Sequence, residues 1–239
     1  DEGELLVDNL RLVDVDGVYP DVEAMADPSG KNVAPEYQDA FLDFVRRSSA
    51  QYFVDWASTD TRAGGIIQDR SSFADLMTVG GVGFQLTSYV VSAEQEYFSR
   101  EEAATRTLDI LRVLDGGPQG HDAQGTIGYK GFFYHFLGID GLRKQNFDVP
   151  ETEGLNESLN TVELSVIDTA LAVAGVVTAG EYFDGGSSAE REIRQLAKSI
   201  YAGVEWGFMI DRATNQFYLG WKPNEDRDNF SDYGRFLLD

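Results

Sequence analysis

The chain of 239 residues contains no cysteine, only two histidines and only five lysines. Without cysteine it can form neither a disulfide framework nor a thiolate metal site. The two histidines, His121 and His135, lack a third ligand at a suitable spacing, so we expect no metal and no other cofactor. The longest apolar run, residues 170–179, falls far short of the about 20 residues that a bilayer span requires, so no transmembrane segment is predicted.

Positive charge is also scarce, because 41 acidic residues stand against 19 basic ones and the net charge is −22. Such a surface repels nucleic acid and anionic lipid, so we expect no nucleic-acid partner. A neutral partner such as an oligo- or polysaccharide is easier to accommodate. An acidic, lysine-poor surface also suits high salt, where screening weakens self-repulsion, so a halophilic origin stays an open alternative.

The chain begins with Asp1 and shows no charged-then-apolar leader, from which we expect a secreted or cell-surface protein whose signal peptide has been removed. Residues 1–35 are polar, with Gly17, Pro20 and Pro28 as turn residues, and predict an extended N-terminal arm. Residues 36–239 form the predicted main domain. Their hydrophobic content is sufficient for a sizeable core.

The helical patterns of this domain alternate between two kinds. Amphipathic helices are predicted over residues 36–57, after the cap Ser99, and after Ser187. Between them, residues 73–91 and 163–183 are apolar almost all round and must be enclosed by other helices. The order outer, inner, outer, inner, outer predicts an all-α fold with concentric helix layers, as in an α/α toroid.

Two smaller patterns add local detail to this fold. The glycines of residues 80–83 lie inside an apolar helical pattern, where close helix packing explains them better than a nucleotide site. Residues 208–221 carry a turn at 211–215 between short apolar runs and predict a hairpin.

Two segments carry the candidate chemistry. Residues 128–137, GYKGFFYHFL, combine five aromatic rings with His135 and are called the aromatic segment below. Residues 163–171, ELSVIDTAL, set Glu163 and Asp168 at the start of an apolar run. Aromatic walls with a few polar groups are typical of concave ligand sites. Together the two segments predict a sugar-binding surface beside an acid.

Glycoside hydrolysis needs one carboxylic acid to protonate the leaving oxygen and a second group, which in inverting enzymes lies about 6.5–9.5 Å away and activates water. Glu163 is the first candidate for the acid, at the N-terminal end of a predicted buried helix. Burial would raise its pKa and the helix N-terminus would lower it. The alternative is a carboxylate that only stabilises the helix dipole.

Two further carboxylates are catalytic candidates. Asp168 lies five residues after Glu163, off its face of a helix, and either takes part in catalysis or holds a neighbouring loop. Asp69 and Arg70 precede the first inner helix at the same end as Glu163. They either orient water and bind sugar hydroxyls or form a helix cap with an ion pair.

Further side chains are candidates for substrate binding, with ordinary core packing as the alternative for each. Tyr134, Lys130 and Trp221 combine an apolar body with a polar group and are the preferred ligand contacts. The other candidates, for hydroxyl or ring contacts, are Gln119, Tyr129 and His135.

Four segments in order, residues 117–120, 128–137, 163–171 and 220–223, resemble the bacterial glucoamylase-like family, which includes endo-β-1,2-glucanases built on an (α/α)6 barrel. Residues 69–71 and 99–103 also match, so the resemblance extends from about residue 36 to the C-terminus. It implies a glycoside hydrolase acting on a neutral β-glucan, with β-1,2-glucan as the specific case, by carboxylate general acid/base catalysis.

The chain also departs from the family pattern. An (α/α)6 toroid has twelve helices, whereas five and the start of a sixth are predicted here. The resemblance therefore implies the N-terminal half of the barrel, with a missing C-terminal half or a second chain to complete it. Gly138 stands where the family motif has an aspartate, and residues 231–234 differ as well. Two alternatives stay open: a non-catalytic glycan-binding or surface structural protein, and a subunit or fragment completed by another chain.

Overall fold

A computed structural model describes residues 24–30, 32–122, 124–144 and 162–223, and the backbone of residues 229–230. The chain divides into two compact units between Asp55 and Trp56. In the described part of the first unit, a bridge between Ala26 and Val33 precedes helix α1, Gln38–Asp55, which confirms the helix predicted over residues 36–57. Residues 1–23 of the predicted arm lie outside the described residues, and the boundary at residue 36 stays a prediction.

The described residues of the second unit contain four α-helices in two layers, in an order that matches the predicted alternation of inner and outer helices over this stretch. Their closure into a toroid stays a prediction. The inner helices α2 and α4 pack on each other, the outer helices α3 and α5 do the same, and each inner helix also packs on the outer helix that follows it. The bounds are α2, Val79–Glu94; α3, Arg100–Gly116; α4, Val166–Tyr182; and α5, Ser188–Gly203.

Two glycines allow the inner helices to cross with their backbones in contact. A Cβ on Gly83 would lie 2.0 Å from the carbonyl oxygen of Leu171, and a Cβ on Gly175 would lie 2.4 Å from the carbonyl oxygen of Gly83. Only glycine fits at such a distance, because any Cβ would overlap backbone atoms that cannot move aside. The close packing predicted for residues 80–83 is therefore confirmed.

The outer helices begin at the serine caps that the sequence predicts. The Ser99 hydroxyl accepts a hydrogen bond from the backbone N–H of Glu102, and Ser187 forms a full capping box with Glu190. Glu190 also accepts a hydrogen bond of 2.7 Å from Nε of Arg100, whose Nη2 donates to the carbonyl of Tyr182 at 2.8 Å. Arg100 thus joins the start of α3 to the α4–α5 connection.

Replacing Glu190 by glutamine is expected to lower the free energy of unfolding by about 1.5–3 kcal/mol at neutral pH, because the hydrogen bond from Arg100 is made to a charged group. That hydrogen bond, assisted by Ser187, lowers the pKa of Glu190. The stabilisation is therefore present above the ordinary carboxyl pKa and is lost as the pH falls through the lowered one. Urea unfolding at several pH values should show wild type and variant converging in acid.

Glu192→Gln provides the matched control on the same helix. Glu192 pairs with Arg112, but both side chains are well exposed. Exposed ion pairs contribute little to stability. We expect almost no change for this variant, and equal losses for Glu190→Gln and Glu192→Gln would contradict the role given to Arg100.

In the residues that the structure describes, nine short antiparallel strands join the helices, and the all-α prediction anticipated only the hairpin at residues 208–221 among them. The hairpin is confirmed by β6 and β7, where Ile210 pairs with Phe217. The pairs are β1 with β4, β2 with β3, β5 with β8, β8 with β9, and β6 with β7. Their bounds are β1, Met77–Thr78; β2, Gly128–Tyr129; β3, Phe132–Phe133; β4, Phe136–Leu137; β5, Leu164–Ser165; β6, Ile210–Asp211; β7, Gln216–Phe217; β8, Gly220–Lys222; and β9, Asn229–Phe230.

There is a simple physical reason why the sequence did not predict the other strands. Most are two residues long, too short for the alternation of polar and apolar side chains by which a strand is recognised in a sequence. Within the described residues, no helix combines the length and apolar character needed to cross a membrane.

Candidate active site

The aromatic segment runs across the N-terminal ends of both inner helices. Strand β4 pairs with β1, which leads into α2, and Tyr134 bridges to Leu164 of β5, which leads into α4. The backbone of His135 is bonded on both sides: its carbonyl accepts from the N–H of Val79 at 3.1 Å, and its N–H donates to the carbonyl of Glu163 at 2.9 Å. Main-chain hydrogen bonds therefore fix His135 between the two helix starts.

The imidazole of His135 lies between two carboxylates. Nδ1 is 3.1 Å from Oε1 of Glu163, and Nε2 is 3.7 Å from Oδ2 of Asp168. The ring stacks on Phe136 with a centroid distance of 3.8 Å and an interplanar angle of 16°. The stack and the two flanking carboxylates define the orientation of the ring.

These side chains can be reached from solvent. The exposed fraction is 33% for the His135 side chain, 24% for Glu163 and 13% for Asp168. Asp69 has 20% of its side chain exposed, and its charge acts on His135. Asp69, Glu163 and Asp168, called the cleft carboxylates below, therefore lie around one half-buried imidazole.

The position of Glu163 differs from the prediction. Helix α4 begins at Val166, and strand β5 separates Glu163 from it. The helical offset that placed Asp168 off the face of Glu163 therefore does not apply, and both side chains lie against His135. The apolar run from residue 163 hid this boundary, because a short buried strand and a buried helix have the same composition.

Asp168 is held from two directions. Its backbone N–H donates to the hydroxyl of Ser165, the N-cap of α4, and the same hydroxyl donates to its carboxylate Oδ2. Oδ1 rests on the first turn of α2, where a Cβ on Gly80 would lie only 2.2 Å from it. Asp168 is thus bonded to the cap of α4 and lies against the first turn of α2. Its catalytic role and the loop contact given as the alternative both stay predictions.

The charges of His135 and Glu163 depend on each other. Burial opposes the charge on His135, but the hydrogen bond with Glu163 and the negative charges of the cleft carboxylates outweigh it and raise the pKa of the imidazole. Burial would likewise raise the pKa of Glu163, but the hydrogen bond with His135, its own backbone N–H and the charges of His135 and Lys222 lower it. At pH values between the lowered pKa of Glu163 and the raised pKa of His135, the pair therefore carries one proton, on the imidazole.

Sequence reasoning missed three residues that support Glu163. The pairing of Leu164 with Trp221 places Lys222 opposite Glu163, and Gly220 packs against the Glu163 side chain. Arg143 donates to the carbonyl of Val162 through Nε at 2.8 Å. A fourth missed residue, Ser165, had a local signal, since Ser165 and Asp168 match the serine–x–x–acid spacing of a helix cap. Gly220 and Lys222 lie in the matched family segment 220–223, which does not reveal what they contact. Lys222 and Arg143 depend on strand register, which sequence does not reveal.

Asp69 and Arg70 lie close to the cluster but do not cap α2. The N-cap of that helix is Thr78, and no side chain caps it. The carboxylate of Asp69 instead pairs with Nε of Arg70 at 2.6 Å, and the Arg70 guanidinium stands 5.3 Å from the Phe73 ring centroid. The predicted alternative combined a helix cap with an ion pair. The ion pair is present, but the predicted cap is wrong because strand β1 separates Asp69 from α2.

Two predicted ligand contacts need correction. Tyr134 and Trp221 have no solvent-exposed surface, so neither ring can be reached by a sugar in this structure. Trp221 is covered by Tyr129, which stacks on it at 5.3 Å, and by His121 and Phe208. Composition alone cannot separate a buried aromatic ring from one that lines a cleft.

The remaining predicted ligand residues lie nearer the surface. Tyr129 is half-buried, Lys130 forms a 2.8 Å ion pair with Glu205, and Oε1 of Gln119 accepts from the N–H of Gly131 at 3.2 Å. Lys130 adopts a positive φ of 54°, which turns the chain between β2 and β3. Their contact with substrate stays a prediction.

Gly138, where the family motif has an aspartate, has a carboxylate beside it. Oδ1 of Asp140 lies 3.0 Å from the position of a Cβ on Gly138, and it accepts from the N–H of Leu142 at 3.1 Å. The turn after the aromatic segment therefore still carries an acidic group. In the part of the chain that the structure describes, no three side chains of the metal-binding types have the geometry of a metal site.

No protein-family model matches the chain. It is 22% identical over 193 residues to an exo β-1,2-glucooligosaccharide sophorohydrolase (non-reducing end) of Parabacteroides distasonis, covering 80% of this chain and 24% of that protein. Its fold is similar to that of an endo-β-1,2-glucanase from Chitinophaga pinensis, with a TM-score of 0.60, 22% identity, and 78% and 41% of the two chains covered.

A candidate glucoamylase of Bacteroides uniformis gives a TM-score of 0.64 at 23% identity, with 81% of this chain and 42% of the other covered. The chain thus spans less than half the length of each of these proteins. The resemblance seen in the sequence is confirmed: over about four fifths of its length, the chain is related to glucoamylase-like and β-1,2-glucanase proteins.

Proposed function

We propose that the chain forms the catalytic cleft of a glycoside hydrolase that cleaves a neutral β-glucan, with β-1,2-glucan as substrate. The observation that carries the proposal is the hydrogen-bonded His135–Glu163 pair, which is open to solvent between the N-terminal ends of α2 and α4. The names of the relatives support the substrate class. The negative cluster would repel an anionic polysaccharide, which favours a neutral one.

In this proposal Glu163 protonates the leaving glycosidic oxygen and Asp69 activates the attacking water. Asp168 is removed from the reacting atoms by its bonds to Ser165 and its contact with Gly80, so it positions rather than reacts. Arg70 extends beyond Asp69 with 56% of its side chain exposed, where its guanidinium can donate to sugar hydroxyls. Gln119, Tyr129 and Lys130 are the further hydroxyl-binding candidates.

We also propose that helices α2–α5 are part of an (α/α)6 barrel completed by further helices of a longer polypeptide or a second chain. Both inner helices carry large apolar side chains in water: Phe84 and Ile167 are 60% and 48% exposed, and Val91 and Val177 are exposed as well. Large exposed apolar side chains on two helices that pack on each other are typical of a surface that another element covers. The match covers less than half of each relative's own length, which supports the same proposal.

The 239-residue chain alone is therefore expected to self-associate, and the double substitution Phe84→Ser with Ile167→Ser should reduce that association with little change in melting temperature. Sedimentation velocity and the binding of an apolar dye would measure the effect. Val176→Ser is the control, because Val176 is fully buried and its substitution should instead lower the melting temperature. A monomeric wild type that binds no dye would contradict the proposal.

The hydrolase proposal is tested by incubating the complete protein, including the helices that complete the barrel, with linear β-1,2-glucan and, separately, with β-1,3- and β-1,4-glucans, and following the release of reducing ends. We expect release from the β-1,2-linked polymer only. Gly138 favours a second candidate, a glycan-binding protein without activity, because this residue carries no carboxylate of its own. Binding of β-1,2-glucan without any release of reducing ends would establish that candidate instead.

A further inference from the structure

Burial raises the pKa of Glu163, but the hydrogen bond with His135 outweighs it and lowers the pKa, although the proposed role of Glu163 requires it to donate a proton. The side chains around it show where that proton is. Nδ1 of His135 lies 3.1 Å from Oε1 of Glu163, and the second ring nitrogen faces Asp168 at 3.7 Å. An imidazole between two carboxylates is held as the cation, so the proton lies one hydrogen bond away from the carboxylate that needs it.

We propose, on the basis of the function proposed above, that His135 is a positioning residue that holds on Nδ1 the proton that Glu163 delivers, so that the two side chains act as a one-proton unit. The backbone hydrogen bonds of His135 to Val79 and Glu163 and the stack on Phe136 keep Nδ1 directed at Oε1. Asp168 maintains the charge on the imidazole from the opposite side.

Binding of a neutral glucan would move this proton. About one third of the His135 side chain and one quarter of the Glu163 side chain are exposed, so a sugar over them removes water from both. The ion pair of imidazolium and carboxylate loses more solvation free energy than the neutral pair of imidazole and carboxylic acid does. Removal of water therefore favours transfer of the proton from Nδ1 of His135 to Oε1 of Glu163. The N–H bond breaks and an O–H bond forms, and the pair becomes a neutral imidazole beside a carboxylic acid.

The rest of the cycle balances without another reactant. The O–H proton of Glu163 passes to the glycosidic oxygen as the bond from that oxygen to the anomeric carbon breaks. Water supplies hydroxide to the anomeric carbon and a proton to Asp69. Asp69 then releases that proton to solvent, and solvent returns one proton to the His135–Glu163 pair, so both groups regain their starting states.

The charged groups facing the pair come from several elements. Asp69 precedes β1, Asp168 belongs to α4, and both act on His135. Lys222 of β8 acts on Glu163 from the opposite strand. Because Lys222 and His135 both favour the ionised form of Glu163, the carboxylate of the free protein does not hold the proton itself.

The chain is well suited to a direct test, since it has only two histidines. Proton NMR of the imidazole C2–H resonances across pH gives both titrations, and His121→Gln identifies which resonance belongs to His135. We expect His135 to titrate above the ordinary histidine value of about 6.5. Glu163→Gln and Asp168→Asn should each lower its midpoint by about 1 pH unit or more while leaving His121 unchanged.

The second measurement adds a β-1,2-linked glucooligosaccharide at a pH just below the His135 midpoint. The His135 resonance should move towards its neutral position, and Glu163→Gln should remove this response although the sugar still binds. A His135 midpoint at or below about 6.5 overturns the proposal. If the sugar binds but the His135 resonance does not move, the proton-holding role of His135 is overturned and the hydrolase proposal stands. If the sugar does not bind although the His135 midpoint is raised, the hydrolase proposal is overturned together with the role of His135 that rests on it.

Discussion

Replacing Glu163 by glutamine is expected to reduce the rate of β-1,2-glucan hydrolysis by about 10²–10⁴-fold, the range that general acid catalysis contributes. The amide has the shape of the carboxylate and still reaches His135, but it has no acidic proton to give to the glycosidic oxygen. Glucan affinity should therefore change only slightly. Initial rates of reducing-end release, with binding followed separately by calorimetry, measure the two effects.

Glu192→Gln is the control for this experiment, because Glu192 lies on the outer helix α5 and pairs with the exposed Arg112. Its rate should equal that of the wild type. If Glu163→Gln also retained the wild-type rate, Glu163 would not be the acid, and Asp69 would be the remaining candidate among the cleft carboxylates.

Among the proposed substitutions, Gly175→Val is expected to lower the free energy of unfolding most. Overpacking between rigid elements costs about 1–3 kcal/mol, and we expect a loss at the upper end of this range or beyond it. Even a single Cβ at this position would lie 2.4 Å from the carbonyl oxygen of Gly83, and the helices would have to separate. Such a separation also moves Asp168 away from Gly80, so the site should lose its geometry together with the fold. Urea unfolding gives the loss from the transition midpoint.

The matched control is Gly186→Ala, at a glycine with ordinary φ and no atom within 4 Å of an added Cβ. Its midpoint should equal or slightly exceed that of the wild type, since alanine restricts the unfolded chain more than glycine does. An unchanged midpoint for Gly175→Val would show that the inner helices do not cross as closely as described.

The sequence predicted the helices of the second unit because they are long and have strong end signals. Ser99 and Ser187 cap the outer helices, and the all-round apolar composition of residues 73–91 and 163–183 identified the inner ones, which the structure places at residues 79–94 and 166–182. Each signal is local, since it depends on residues within a turn or two of one another. Such signals can be recognised in a sequence without knowledge of the rest of the fold.

The site itself was predicted only in part. Glu163, Asp168 and His135 were identified as polar groups in apolar surroundings, but their mutual arrangement follows from backbone pairing between Tyr134 and Leu164 and between Leu164 and Trp221. Pairs that are 30 or more residues apart leave no periodic trace in the sequence. For the same reason Lys222 and Arg143 were missed, and the burial of Tyr134 and Trp221 was not anticipated.

The most direct test of the central claim is a crystal structure of the Glu163→Gln variant with a β-1,2-linked glucooligosaccharide. The variant should bind the sugar without cleaving it. We predict a glycosidic oxygen within hydrogen-bonding distance of the side-chain amide of residue 163, with a water on the opposite side of the sugar ring near Asp69. A sugar bound away from the N-terminal ends of α2 and α4, or one whose glycosidic bonds all lie beyond the reach of residue 163, would contradict the account.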